Sequence, residues 1–246
     1  MAIPLWAGRG VSGVVLVLIG IGVTASIGRV VFPADMIQRA EPARAALLKA
    51  FDRADPLALQ RPAELARMDR PFAEHRFLTL LHVVPGSLFF VFAPLQFSAR
   101  LRARHRKLHR YSGRILLTVI TVSLIPGLFF GIVMPFGGRL EAVMIAALGI
   151  FFLYTMATAV MVIRRGEVAR HREWMIRMFA NVLAISTVRL VGGPLDFVLT
   201  PYGVAPADLF VLSIWTAWLL TLGGAECWIR YTRPAVAQGA QLRPVT

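Results

Sequence analysis

The chain has 246 residues, of which 57% are hydrophobic and 16% charged, and its 27 Lys and Arg outnumber 13 Asp and Glu to give a formal net charge of +14. A soluble domain has about a quarter of its residues charged. A disordered basic protein is poor in the Leu, Ile, Val and Phe that are abundant here. The remaining class is a polytopic membrane protein whose basic residues are confined to its loops. The single Cys227 also excludes an intrachain disulfide or a CxxC pair.

A helix that crosses the hydrocarbon core needs about 20 mostly apolar residues. Six runs meet that length, at about 11–32, 77–97, 115–135, 141–163, 174–191 and 209–229. No strand-type alternation competes with them. The expected fold class is therefore all-α, a polytopic membrane protein in one integral domain. Its second to fifth spans form a four-helix core bundle flanked by the first and sixth. Arg9 before the first run and Val23-Thr24-Ala25 within it also fit a cleaved signal peptide. The length of the run favours a retained span.

Loop charges set the orientation. Segment 98–114 carries seven Lys and Arg and no acid, and segment 164–173 carries four Arg against two Glu. The tail adds Arg230, Arg233 and Arg243, whereas the loop before the sixth span holds only Asp196 and Asp208. The positive-inside rule places both termini and both basic loops in the cytoplasm of a bacterial inner membrane. These loops suit anionic lipid headgroups better than nucleic acid, being short and juxtamembrane. The sizeable loop 33–76 then lies outside. Its eight bases nearly cancel its seven acids, and Ala40 to Phe51 reads as an amphipathic helix, with Pro56 and Pro62 interrupting the residues beyond it. It is either a helical cap on the membrane surface or a lid over a substrate site.

The candidate functional residues are few, because lipid cannot satisfy a polar group within a span. His82 lies about five residues into the second span, with His75 and Thr79 on the same face above it and Gln96 at the inner end. Pro85-Gly86 breaks the regular ladder just below His82 and can widen a cavity there. The fifth span carries Arg177, Asn181, Ile185 and Arg189 in successive steps of four. Glu226 is at the depth to pair with Arg177, and Asp196 is a candidate partner for Arg189. Arg29, Arg189, His82 and His75 together suggest an outward-facing pocket for a small anion. The competing reading makes His82 a hydrogen-bonded link between helices.

On the basic side, His105 and His109 are four residues apart before the third span, and His171 has the matching place before the fifth. Two histidines at one depth on two helices are what a six-coordinate haem iron requires of a bundle. Neighbouring Arg side chains suit the anionic propionates. The alternative is that these loops bind lipid headgroups and the histidines are bystanders. A non-haem metal would want a further ligand, for which Glu173 is the near candidate. The methionines fall on no tight ligand spacing and read as packing. The sequence contains no Gly-rich phosphate loop, nucleophile elbow or HExxH.

Three segments carry a resemblance: LHVVPGSLFFVFAPLQF (Leu81 to Phe97), RHRKLHRYSGR (Arg104 to Arg114) and RRGEVARHREWMIR (Arg164 to Arg177). Over roughly 75–190 the chain resembles a bacterial membrane family catalogued as domain of unknown function 2306, which implies a polytopic membrane protein and no particular activity. There is a fainter similarity to the ascorbate-reducible transmembrane cytochromes b, which hold two haems by pairing histidines of alternate helices. That similarity implies one haem b between His109 and His171. Gln96 would line a pocket for a small electron donor or quinone beside it. His82 has no such partner, since 141–163 contains no histidine. Three functional expectations result: a haem-b membrane redox protein, a non-enzymatic protein that binds or transports a small anion or lipid, or a purely structural or assembly partner.

Overall fold

Backbone buried in hydrocarbon must satisfy its own N–H and C=O groups, so each apolar run is driven into helix. The computed structural model describes residues 5–241, with side chains from residue 10 to residue 233. The side chains of Arg9 and Arg243, which entered the charge reading, lie outside that range. In chain order the helices are α1 (Leu5–Val31), α2 (Glu41–Ala50), α3 (Arg61–Glu74), α4 (Arg76–Gln96), α5 (Ala99–Arg104), α6 (Arg106–Leu128), α7 (Gly138–Arg164), α8 (Val168–Leu199) and α9 (Pro206–Gln241). Six of them, α1, α4, α6, α7, α8 and α9, are long and apolar enough to cross a membrane, and no strand occurs among the described residues.

The helices overrun the apolar runs that seed them. α6 begins at Arg106 rather than near 115, so the basic stretch that precedes the third apolar run is itself helical. Long Arg and Lys side chains allow this, since they lie along apolar surface while their charges stay wet. α8 continues through Gly192-Gly193-Pro194 to Leu199, well past the end of its apolar run. α6 closes with one π-helical turn, Phe129–Val133, just beyond Pro126.

The spans pack α4 on α6, α7 on α8 and α1 on α4 and α8, while the most extensive helix pairing is α8 along α9. The sixth span is thus joined closely to the fifth, instead of flanking a separate four-helix core. Leu18, Phe89, Phe90, Ala93, Leu116, Ile120, Phe152, Met178, Phe179 and Leu183 form one apolar core drawn from five spans, and on the side away from the basic loops its Phe90, Ile120 and Phe152 reach the wall of a cavity. Packing contacts hold it together, because lipid is as apolar as the side chains themselves. The close α1–α8 crossing shows the constraint: a Cβ on Gly22 would lie 2.5 Å from Ser186 Oγ. Towards the other end the same helices enclose that cavity, roofed by the 33–76 segment.

That roof, the cap, is held by ion pairs. Arg44 bonds Asp196 at the far end of α8, Glu41 at 2.7 Å and Asp55 at 2.9 Å. Arg61, only 3% exposed, reaches Asp196 at 3.2 Å and Asp55 at 3.3 Å. Both arginines also donate to Thr200 Oγ1, at 3.1 and 3.2 Å. A second clamp joins Arg29 of α1 to the fully buried Asp69 of α3 at 2.5 Å, and Ile37 N–H donates to the other Asp69 oxygen at 2.9 Å. Pro62 opens α3 in its first turn, where a missing N–H costs nothing.

Burial alone would push the Asp55 carboxyl up, but the hydrogen bond from Arg44 and the charges of Arg61 and Arg44 hold it below its ordinary value of 3.8. A carboxylate depressed in the folded state stabilises the fold above its unfolded value, and that contribution is lost as pH falls through the folded value. The cap is therefore expected to become protease-sensitive on acidification below about pH 4, with Asp55→Asn flattening that dependence. Arg61→Met should expose 33–76 to cleavage at neutral pH and lower the melting temperature, since stranding a buried charge costs about 3–5 kcal/mol. Unchanged digestion would show that the ion pairs do not hold the cap.

Candidate functional site

The cavity beneath the cap has a volume of about 1250 Å³ and is walled by α1, α4, α6, α7, α8 and α9. Its lining is chiefly apolar, with Phe90, Ile120, Ile145, Phe152 and Ile214 from the spans and Met36, Met68 and Phe72 from the roof. Methionine adapts readily to irregular apolar ligands. Against that background the polar groups are few, and nearly all of them are occupied.

Asn181 donates to Leu148 O at 3.1 Å and accepts from Trp218 Nε1 at 2.8 Å, so it ties α7, α8 and α9 together. Glu141, buried at the start of α7, accepts from Gly137 N–H at 2.6 Å. Ser26 and Ser213 donate to carbonyls of their own helices, at 2.8 and 2.6 Å. Arg29 is taken by Asp69, and Asp196 by Arg44 and Arg61. Arg189 differs. Its Nη1 donates to Ile185 O of its own helix at 2.8 Å, and it has no ion pair among the described residues. Asp196, the partner the sequence suggested for it, is committed to the cap. Arg29 is also near enough for its charge to bear on Arg189. Among the described residues, Arg189 is therefore the cavity's uncompensated cation.

His82 is the second open group. Its Nδ1 lies 2.8 Å from Ser123 O, and Ser123 Oγ donates to His82 O at 2.6 Å. A carbonyl only accepts, so Nδ1 carries the proton and Nε2 presents a lone pair. The ring lies against Gly127, where an added Cβ would be 2.8 Å from Cε1. His82 thus links α4 to α6 and also lines the cavity.

The remaining candidates disperse. His75 ends α3 and precedes α4 with φ −106° and ψ 55°. That break turns its ring edge-on to Phe129, with centroids 5.4 Å apart, and it is not among the lining residues. Gln96 donates to Ser112 Oγ at 2.8 Å, joining α4 to α6. Arg177 pairs with Glu226 at 2.5 and 3.0 Å, as its depth suggested, and lies over Trp174. His105 is exposed where α5 meets α6. His171 Nδ1 is 2.9 Å from Ala159 O, and His109 Nδ1 is buried with no hydrogen-bond partner among the described residues. His171 is near enough for its charge to bear on His109. No group of three or more His, Cys, Asp or Glu that could hold a metal ion occurs among the described residues. Sequence reasoning missed Arg44, Arg61, Asp55 and Asp69. The near-balance of charge in 33–76 was the available signal that these residues neutralise one another.

The spans and the capped cavity define a polytopic α-helical membrane protein with an internal ligand-sized space. Residues 79–229, more than half of the chain, match the family described as Predicted membrane protein (DUF2306), and the chain belongs to that family. No curated protein and no solved structure matches it.

The two cavity arginines should behave in opposite ways. Arg29→Met strands Asp69 and is expected to destabilise the protein by about 3–5 kcal/mol. Arg189→Met removes a cation without a partner and should leave the melting temperature of the ligand-free protein unchanged or raised. Thermal unfolding in a non-ionic detergent measures both, and an equal loss in the two variants would mean that Arg189 has a structural counter-charge.

Proposed function

We propose that this protein binds a lipid or other lipophilic small anion in the capped cavity, with Arg189 as the counter-charge. The carrying observation is that Arg189 lacks an ion pair among the described residues, in a space whose other polar groups are largely satisfied internally. Arg189 is exposed to the open cavity space, and cations within membrane spans mark ligand or ion pathways. The apolar walls would hold the ligand's hydrocarbon part. In this reading the protein sits in a bacterial inner membrane with both termini inside. The cap faces outward, and the basic loops lie against anionic headgroups of the cytoplasmic leaflet. The role is binding or transport and calls for no bond-making step.

A direct test compares dioctanoyl phosphatidylmethanol, an anion, with dioctanoyl phosphatidylcholine, a zwitterion, as stabilisers of the detergent-purified protein. The anion should raise the melting temperature, by the equivalent of about 2.7 kcal/mol when present at a hundred times its Kd. The zwitterion should not, and Arg189→Gln should abolish the effect. Equal stabilisation of wild type and variant would contradict the proposal.

A second reading rests on the basic end. His171 holds its Nδ1 against a backbone carbonyl, as metal-ligating imidazoles do, and His109 has a buried nitrogen without a partner among the described residues. In this reading the two imidazoles would take the axial positions of a haem b, and Arg102, whose charge reaches His109 and Arg172, would meet a propionate. Such a haem would supply one-electron chemistry, while the protein sets its potential through ligands and burial. Protein expressed with added haem should then show a Soret band that His109→Ala and His171→Ala each remove. A colourless preparation would end this reading and leave the first untouched.

A further inference from the structure

Resting on the reading of the cavity as an anion site, we infer that its ligand carries a hydroxyl donor beside the negative charge, and that His82 selects for that hydroxyl. The natural chemical class is an anionic phospholipid with a free hydroxyl on its headgroup.

The protein itself leaves few polar positions of the cavity open. Asn181, Ser26, Ser213 and Glu141 are engaged by their own or neighbouring helices. Glu141 is held at the start of α7 by Gly137 N–H, and two further groups line the space with unused capacity: the guanidinium of Arg189, which can only donate, and Nε2 of His82, which accepts. Ser123 O fixes the tautomer by accepting from Nδ1. Gly127 fixes the ring, because any side chain there would strike it. Nε2 has no hydrogen-bond partner among the described residues. It therefore stands as a pre-oriented acceptor in an apolar surround, where an unmade hydrogen bond is expensive.

A ligand that fits both groups brings an anionic oxygen for Arg189 and a donor for His82. An ammonium group is the alternative donor, but the unpaired charge of Arg189 disfavours a second cation nearby. A hydroxyl meets the requirement without that repulsion. The two groups line the same cavity from different helices, His82 on α4 and Arg189 on α8, so a ligand that meets both presents its anion and its hydroxyl to different walls. A site built to hydrogen-bond a hydroxyl discriminates against the analogue that lacks it, because the acceptor is then left unpaired.

Three dioctanoyl lipids separate the possibilities when titrated into the detergent-purified full chain: phosphatidylglycerol, phosphatidylmethanol and phosphatidylethanolamine. The first two share the phosphodiester charge and differ in the headgroup hydroxyls. Wild type should bind phosphatidylglycerol about tenfold more tightly than phosphatidylmethanol, as one hydrogen bond to a buried acceptor implies. It should bind phosphatidylethanolamine no better than phosphatidylmethanol. His82→Asn keeps a donor for Ser123 O, while its amide oxygen stops at the level of the ring's Cδ2 and leaves no acceptor at the Nε2 position, so it should fold and bind both anions with the lower affinity. Histidine ¹⁵N NMR gives a readout independent of the variants, since the His82 Nε2 signal should move with phosphatidylglycerol and not with phosphatidylmethanol. Equal affinities in wild type, or a preference that survives His82→Asn, would overturn the selection by His82 while leaving the anion site standing. Failure of both anions to bind would overturn the anion site itself, and the inference with it.

Discussion

A charge inside a membrane protein has no solvent to turn to, so it is matched by another group of the same chain or by something that chain binds. This constraint organises the end of the molecule that carries the cap. Arg29 and Asp69 neutralise each other across the α1–α3 contact, and Arg44 and Arg61 of the cap neutralise Asp196 of α8. The cap is thus bound to the spans by the charges that the spans could not bury alone. Removing either side strands the other, which ties cap and membrane domain into one folding unit.

The same matching leaves Arg189 over. Asp196 is the acidic residue that sequence proximity would assign to it, and the cap arginines have taken it. The surrounding helices separate two jobs along their length. On one side they close on a core that includes Phe89, Met178 and Phe179, and near the cap they part around the cavity. The π-helical turn at Phe129–Val133 lies at that parting, as such turns often lie at functional sites. Rigid packing in one half gives the other half fixed walls, so His82 and Arg189 occupy defined positions on α4 and α8.

Much of this was legible in the sequence, for reasons that are local. Hydrophobic run length specified six spans, and depth along the helices matched Arg177 to Glu226 and placed His82 and Arg189 in one pocket. Long-range pairing was not legible. Arg44 and Asp196 are 152 residues apart, and no periodicity connects a polar loop to the end of a span. His75 failed for a different reason: sharing a face with His82 required one continuous helix, and the chain breaks at His75. Helix ends were also misplaced, because basic and glycine-rich stretches that look like loops continue as helix when neighbouring helices and interfacial water satisfy them.

Arg189 must receive its counter-charge from a ligand if the cavity is a binding site for anions. Native mass spectrometry of the protein released from its membrane in mild detergent tests this most directly. Wild type should retain one bound anionic lipid or lipophilic acid that Arg189→Gln has lost, with both proteins folded. A wild-type protein that emerges bare, or a variant that keeps the same adduct at the same occupancy, would contradict it.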